Sequence, residues 1–228
     1  MPAHTPKKKK ILFIAHHFPP LGGGGVNRAM QFAKYLSDMG YELHVLTVSM
    51  KDIEEGVYPR DDSLLERLPD DLRIYRVPIH YPKRFRNFMI RIKLFRLFWF
   101  FFYPLFWEPS AFWPYYSYKT AKKIIEDNDI DLIWNTSGPF VSSQLAWKLK
   151  RRCKVKWVCD LRDPFSDTYS FAWPSKLHWY FSRWMEKRVF RRADKLVVVT
   201  PGMKRLYLKR NLVDPDKLVV ITNGYGDA

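Results

Sequence analysis

Short apolar runs alternate with longer amphipathic segments along nearly the whole chain. The runs are typical of β-strands covered on both faces, and the segments between them place apolar residues at helical spacing. This alternation favours an open, doubly wound α/β fold with a mainly parallel sheet and helices on both faces. The predicted strands cover residues 11–15, 43–48, 72–78, 131–134, 156–159, 195–199 and 218–221. The predicted helices cover residues 26–39, 110–127, 140–152, 175–193 and 202–211, with a long loop and one helical turn at 49–71.

The loop after the first predicted strand contains four consecutive glycines at residues 22–25. Ligands of such sheets bind beyond the carboxyl ends of the strands, where this loop lies. Glycine lets the backbone approach an anion closely, and the free N–H groups at a helix N-terminus favour negative charge. We therefore predict a Rossmann-like domain that binds phosphate through Gly23, Gly24 and Gly25, with Arg28 as a phosphate or acceptor partner. The alternative is that the glycines only permit a tight turn.

The chain is strongly basic, with 39 lysine and arginine residues against 23 acidic ones and a formal charge of +16. Such an excess indicates an anionic partner, which nucleic acid, an acidic membrane surface and a phosphorylated ligand would all provide. No RNP-like, zinc-finger or helix-turn-helix pattern is present, so we expect no nucleic-acid partner. The histidines and the two cysteines, Cys153 and Cys159, lack metal-ligand spacing, so we expect no metal, no cofactor and two reduced thiols.

Residues 82–113 interrupt the alternation of strands and helices. Basic residues are followed there by an aromatic run at 97–107, whose uncharged part is shorter than the about 20 residues that span a bilayer. Aromatic and basic residues together are typical of a segment in the interface of an anionic membrane. The predicted membrane contacts are Arg91, Phe100, Phe101 and Trp107. The alternative is that the aromatic residues pack under the domain or against a partner.

Four motifs occur in an order that is typical of one enzyme family. They are residues 19–28 (PPLGGGGVNR), 157–164 (WVCDLRDP), 193–201 (ADKLVVVTP) and 220–225 (VITNGY). On these motifs the chain resembles the N-terminal half of family-4 retaining glycosyltransferases of GT-B fold, from Lys10 to Gly224. The second motif also resembles that of a subgroup, with an Asp-x-Arg-Asp-Pro signature, that is often associated with bacterial surface or lipid-linked glycans.

The resemblance implies a domain organisation and a set of partners. Residues 10–222 would form the acceptor-side domain, with a basic tail at 1–9, the insertion at 82–113 and the start of a linker at 223–228. A missing C-terminal domain would hold the nucleotide-sugar donor, so the chain alone is expected to be inactive, as a truncated chain or half of a split enzyme. The implied acceptor is a lipid-linked or cell-surface glycan, at an anionic membrane on the cytoplasmic, inner face of the plasma membrane. The alternative is a non-catalytic nucleotide- or phosphate-binding module.

The resemblance also suggests roles for charged residues after the fifth predicted strand. Arg162 could hold an acceptor phosphate, while Asp160 or Asp163 could accept a hydrogen bond from the attacking hydroxyl, and these three are the predicted catalytic residues. The alternative is an internal Asp–Arg pair that holds the loop in place. The other predicted acceptor-cleft residues are His16, His17 and Ser137 near strand ends and Asn27 at the start of the first predicted helix, although the histidines could instead be structural and Ser137 could cap a helix.

Overall fold

The computed structural model describes residues 8–52, 59–79, 83–94, 100, 109–168 and 173–224. These residues contain one sheet of seven strands, in the order β3-β2-β1-β4-β5-β6-β7, and every pair of neighbouring strands is parallel. The strands are β1 (Lys10–Ala15), β2 (Glu42–Val48), β3 (Arg73–Val77), β4 (Leu132–Ser137), β5 (Lys156–Leu161), β6 (Lys195–Val198) and β7 (Leu218–Val220). The Rossmann-like, doubly wound fold predicted from the alternation is thereby confirmed.

Helices connect the strands and cover both faces of the sheet. They are α1 (Gly24–Asp38), α2 (Ser63–Glu66), α3 (Lys83–Arg91), α4 (Trp113–Asn128), α5 (Val141–Cys153), α6 (Lys176–Arg192) and α7 (Pro201–Lys209). Successive side chains of a strand point to opposite faces, and β1 accordingly supplies Phe13 to one core cluster and Ile14 to another. The Phe13 cluster includes Ala29 and Ala33 of α1, whereas the Ile14 cluster includes apolar residues of α4 to α7.

Two strands continue beyond their predicted ends into polar sequence. β4 was expected to end at residue 134 and β5 at residue 159, but they pair through Ser137 and Leu161. The polar side chains in these extensions are buried because they find hydrogen-bond partners there, and Asp160 is fully buried in β5. The expectation that Asp160 belongs to a loop is therefore wrong.

The predicted insertion at 82–113 is only partly described. It contains α3, and the residues at its far end begin α4. Within the described parts of the chain, no helix combines the length and the apolar character needed to cross a bilayer. The predicted membrane contacts Phe101 and Trp107 lie outside the described residues.

Candidate functional site

The carboxyl ends of β1, β4 and β5, which are neighbours in the sheet, bring three loops together. The first loop carries the glycines before α1, the second is the Gly138 turn before α5, and the third follows Leu161. Parallel strands present all their carboxyl ends at one edge of the sheet, which is where ligands of doubly wound folds bind. Most of the predicted site residues therefore lie on one side of the domain.

A buried ion pair joins α1 to β5. The Arg28 guanidinium donates from Nη2 to Asp160 Oδ1 over 2.7 Å and from Nε to Asp160 Oδ2 over 3.0 Å. Thr136 of β4 donates its hydroxyl to Asp160 Oδ2 over 2.9 Å. The side chains of Arg28 and Asp160 are 7% and 0% exposed, so the carboxylate is charge-compensated and shielded from water.

Arg28 also reaches the end of the described chain. Nη1 donates to Asn223 Oδ1 and Nη2 to the carbonyl of Ile221, each over 2.9 Å. The guanidinium also lies 4.7 Å from the ring centroid of Phe32. Arg28, predicted as a phosphate or acceptor partner, is engaged by Asp160, Phe32 and the segment after β7, and these contacts join the glycine-loop helix to that segment.

The predicted pairing within the loop after β5 is different in the structure. Arg162 donates from Nη1 to the carbonyl of Gly25 over 2.9 Å, and Asp160 pairs with Arg28 rather than with Arg162. A Cβ added at Gly25 or Gly138 would lie 3.0 Å or 2.9 Å from Arg162 Nη1. These two glycines therefore make room for the guanidinium, a role that the sequence did not indicate. Asp163 is exposed on the same loop.

The N-terminus of α1 faces open space. Gly23 has a positive φ of 94° that glycine adopts readily, and a Cβ added at Gly23 or Gly24 would meet nothing within 4 Å. The helix has no side-chain cap and no acidic residue in its first turn, and Asn27 is exposed there. Uncapped N–H groups with open space before them are suited to an anion.

Two histidines follow β1 directly. The His16 ring is buried, with its centroid 4.9 Å from that of His17 and 5.1 Å from that of Trp113. Burial, and then the neighbouring His17, lowers the pKa of His16 well below its ordinary value. Burial, and then the charge of Arg162, lowers the pKa of His17 to about 4. Both imidazoles are therefore neutral at neutral pH, and each can donate a hydrogen bond from one ring nitrogen and accept one at the other.

The ring nitrogens of His16 have no hydrogen-bond partner among the described residues. Ser137 is also buried, and α5 begins without any side-chain cap, so the expectation that Ser137 caps this helix is wrong. No group of three or more His, Cys, Asp or Glu side chains in the described regions is arranged to hold a metal. Cys153 and Cys159 are free, and burial raises the pKa of the Cys159 thiol to about 12.

A second buried carboxylate holds the loop after β5 from behind. Glu186 of α6 accepts from the Phe165 N–H over 3.2 Å, from the Ser166 hydroxyl over 2.5 Å and from the Tyr207 hydroxyl over 3.3 Å. Burial raises its pKa, against the effect of these hydrogen bonds. Glu186 could not be predicted from the sequence, because a glutamate within a basic amphipathic helix gives no local signal of burial.

Two of the predicted membrane contacts lie within the described residues. Arg91 is exposed at the end of α3. Phe100 is 40% exposed, and its carbonyl accepts from His178 Nε2 of α6 over 2.6 Å. The two rings are also in edge-to-face contact, with centroids 5.0 Å apart. Phe100 therefore lies against α6.

The fold and the site define a Rossmann-like α/β domain with an open glycine loop and paired charges at the carboxyl ends of its strands. The profile of the glycosyl transferase 4-like domain matches residues 23–224, and the chain belongs to this family. The resemblance drawn from the four motifs is thereby confirmed. No curated protein sequence matches the chain significantly.

Several solved structures are similar in fold to this domain, among them the GT-B glycosyltransferases MurG and HepE. MurG of Acinetobacter baumannii superposes with a TM-score of 0.52 and 14% identity, over 96% of this chain and 46% of that one. Anabaena Alr3699/HepE, solved in complex with UDP and glucose, superposes with a TM-score of 0.52 and 14% identity, over 95% of this chain and 45% of that one. The UDP-GlcNAc 2-epimerase of Methanocaldococcus jannaschii superposes with a TM-score of 0.56 and 11% identity, over 94% of this chain and 45% of that one. The chain thus spans less than half the length of these proteins, and at such identities the likeness concerns the fold.

Proposed function

We propose that this chain is the acceptor-side domain of a glycosyltransferase that moves a sugar from a nucleotide-sugar donor to a glycan or lipid-linked acceptor, with retention of configuration. Membership of the glycosyl transferase 4-like family supports sugar transfer. The presence of UDP and glucose in the HepE structure supports a nucleotide-sugar donor. The observation that carries the proposal is the open N-terminus of α1, at the same end of the sheet as Arg162 and the histidines.

Each part of the site has a role in this proposal. The N–H groups at Gly23, Gly24 and Gly25 stabilise the leaving diphosphate, which a second domain presents. Arg162, held by the Gly25 carbonyl, directs its remaining N–H groups to an acceptor phosphate. Asp160 is occupied by Arg28 and acts as a positioning residue, so the acceptor hydroxyl is left to Asp163 or to the neutral His17.

We place the enzyme at the cytoplasmic face of an anionic membrane, where a lipid-linked acceptor would lie. The observation that supports this placement is the exposure of apolar side chains around Arg91. Phe88 and Ile90 of α3 are 56% and 51% exposed, and Leu94 just beyond the helix is 47% exposed. Apolar side chains that alternate with basic ones in this way suit a membrane interface.

The phosphate role of α1 is tested by two substitutions at Gly24. A Cβ there meets nothing, so G24A keeps the fold and is the matched control. G24D adds a carboxylate where the phosphate would bind, and the same charge stabilises the helix N-terminus by about 0.3–1 kcal/mol. We expect G24D to unfold no more readily than G24A, yet to lose at least about tenfold in both nucleotide-sugar affinity and sugar transfer.

Affinity is measured by calorimetry with UDP-, GDP- and ADP-linked hexoses. Transfer is measured with the gene product that contains this domain and a membrane lipid extract, and NMR of the product gives the anomeric configuration. Equal transfer by G24D and G24A would remove α1 from the site. Tight nucleotide-sugar binding by this chain, with no transfer by the gene product, would instead favour the non-catalytic module.

A further inference from the structure

The two helices α5 and α6 carry a large part of the positive charge of this protein. They contain four and six lysine or arginine residues respectively, against a single acidic residue, the buried Glu186. They are neighbours, because Arg188 of α6 lies 4.6 Å from the ring centroid of Trp147 of α5. The outward surface of this helix pair, named here the α5–α6 face, is therefore basic without interspersed acids of its own.

A stripe of large apolar side chains runs along the exposed side of α6. Leu177, Tyr180 and Trp184 are 76%, 61% and 50% exposed. Their spacing of three and then four residues places them on one side of the helix. Phe100 lies against His178 near the start of the same helix, so the stripe begins close to Phe100.

Indole rings hold the arginines of this face in place. Trp147 has Arg151 at 4.7 Å and Arg188 at 4.6 Å from its ring centroid, and Arg188 lies 4.3 Å from that of Trp184. Arg183 lies 5.0 Å from the ring centroid of Trp179. Among the described residues, no carboxylate forms an ion pair with these three arginines. A stacked guanidinium keeps its N–H edge available for an oxyanion such as phosphate.

We infer that the α5–α6 face docks this domain onto an anionic lipid bilayer. The stripe enters the interfacial region, and Arg151, Arg183 and Arg188 bind phosphates of the headgroups. Charge complementarity favours an anionic surface. The stripe favours lipid over nucleic acid, because transfer of an exposed leucine from water to hydrocarbon lowers the free energy, whereas a phosphate backbone offers it no apolar partner. This inference rests on the proposed membrane placement and not on sugar transfer, and it adds a contact face outside the 82–113 segment.

Vesicle co-sedimentation of this chain, without any sugar, tests the assignment. The vesicles contain phosphatidylcholine alone or equimolar phosphatidylcholine and phosphatidylglycerol. Two variants change the face: L177S/Y180S/W184S removes the stripe, and R183Q/R188Q removes two charges while keeping most of each side chain. The matched control is Y35S/M39S, because α1 covers the opposite side of the sheet. Tyr35 on α1 and Met39 just beyond its end are 56% and 72% exposed.

We expect the wild type to bind the anionic vesicles at least about tenfold more strongly than the neutral ones, less so as salt is added. Each variant of the α5–α6 face should lower the partition coefficient on the order of tenfold, with a circular dichroism spectrum like that of the wild type, whereas Y35S/M39S should not change it. Unchanged binding by both face variants, equal binding to neutral vesicles, or tighter binding to a short DNA duplex would each overturn the inference. Because no transfer is measured, these outcomes are independent of the proposed enzymatic activity.

Discussion

Two buried carboxylates hold the loop after β5, and they do so in opposite ways. Asp160, just before the loop, is bound by the guanidinium of Arg28 and the hydroxyl of Thr136. Glu186, behind the loop, is bound by backbone N–H groups and two hydroxyls, with no cation paired to it among the described residues. The first carboxylate has its charge compensated, whereas burial shifts the second toward its neutral form.

This difference shows that the loop has a compensated ion pair on one side and a carboxyl shifted toward its neutral form on the other. The Arg28–Asp160 pair faces the candidate site and also reaches Ile221 and Asn223, so it couples the glycine-loop helix to the segment after β7. Glu186 faces the core and connects the loop to α6 and α7 through neutral donors. A buried ion pair needs both partners, whereas a carboxyl that binds a proton needs only its hydrogen bonds.

The largest effect is expected when Arg28 is removed. R28A leaves Asp160 buried and uncompensated, which should lower the free energy of unfolding by about 3–5 kcal/mol in urea denaturation. K34A, an exposed basic residue on the same helix, is the control and should stay within about 0.5 kcal/mol of wild type. The double variant R28A/D160N should be more stable than R28A, because the uncompensated charge is gone. A cost below about 1 kcal/mol for R28A would mean that the two carboxylates do not differ as described.

A smaller effect, with a defined pH dependence, is expected at Glu186. Its pKa is raised in the folded state, so its contribution to stability is fully present below the ordinary carboxyl pKa of 4.5 and is lost as pH rises through the folded value. E186Q should lower the free energy of unfolding by about 1 kcal/mol at low pH. As pH rises, the wild type loses stability at Glu186 and E186Q does not, so the difference between the two proteins should shrink. The lowered pKa values of His16 and His17 affect the stability of both proteins equally, so they cancel in the difference between E186Q and the wild type.

Urea unfolding at several pH values measures this difference. Y207F removes one of the hydroxyl donors but keeps the carboxyl, so its stability should fall with rising pH as that of the wild type does. A difference between E186Q and wild type that does not change with pH would show that Glu186 stays charged in the fold and that the contrast with Asp160 is false.

The smallest effect on stability is expected at Arg162, on the loop between the two carboxylates. R162Q loses the hydrogen bond to the Gly25 carbonyl at a half-buried position, which should cost about 0.5–1.5 kcal/mol. It also removes the second cause of the lowered pKa of His17, so this pKa should rise above about 4 while burial keeps it below 6.5. NMR titration of the imidazole measures the change. R162K keeps the charge and should leave His17 near the wild-type value; a rise in R162K equal to that in R162Q would exclude the charge as its cause.

The strands and helices could largely be predicted because their signals are local. Apolar runs and helical spacing located the seven strands and the main helices, and the glycine loop located the N-terminus of α1. The polar ends of β4 and β5 could not be predicted in this way. Asn135 stays in a strand because it accepts from the Trp157 indole over 2.7 Å and donates to the Ser143 hydroxyl over 2.9 Å, and both partners depend on tertiary packing.

By itself, the sequence determined the order of the elements, the glycine loop and the family, because each of these lies in short stretches of residues. Only the tertiary structure decided which charges meet. Arg28 and Asp160 are 132 residues apart in sequence, and they pair because the sheet places β4 between β1 and β5 and so brings their carboxyl ends together. Strand order comes from the packing of the whole domain, so no local pattern around either residue could show that Asp160 pairs with Arg28 rather than with the nearby Arg162.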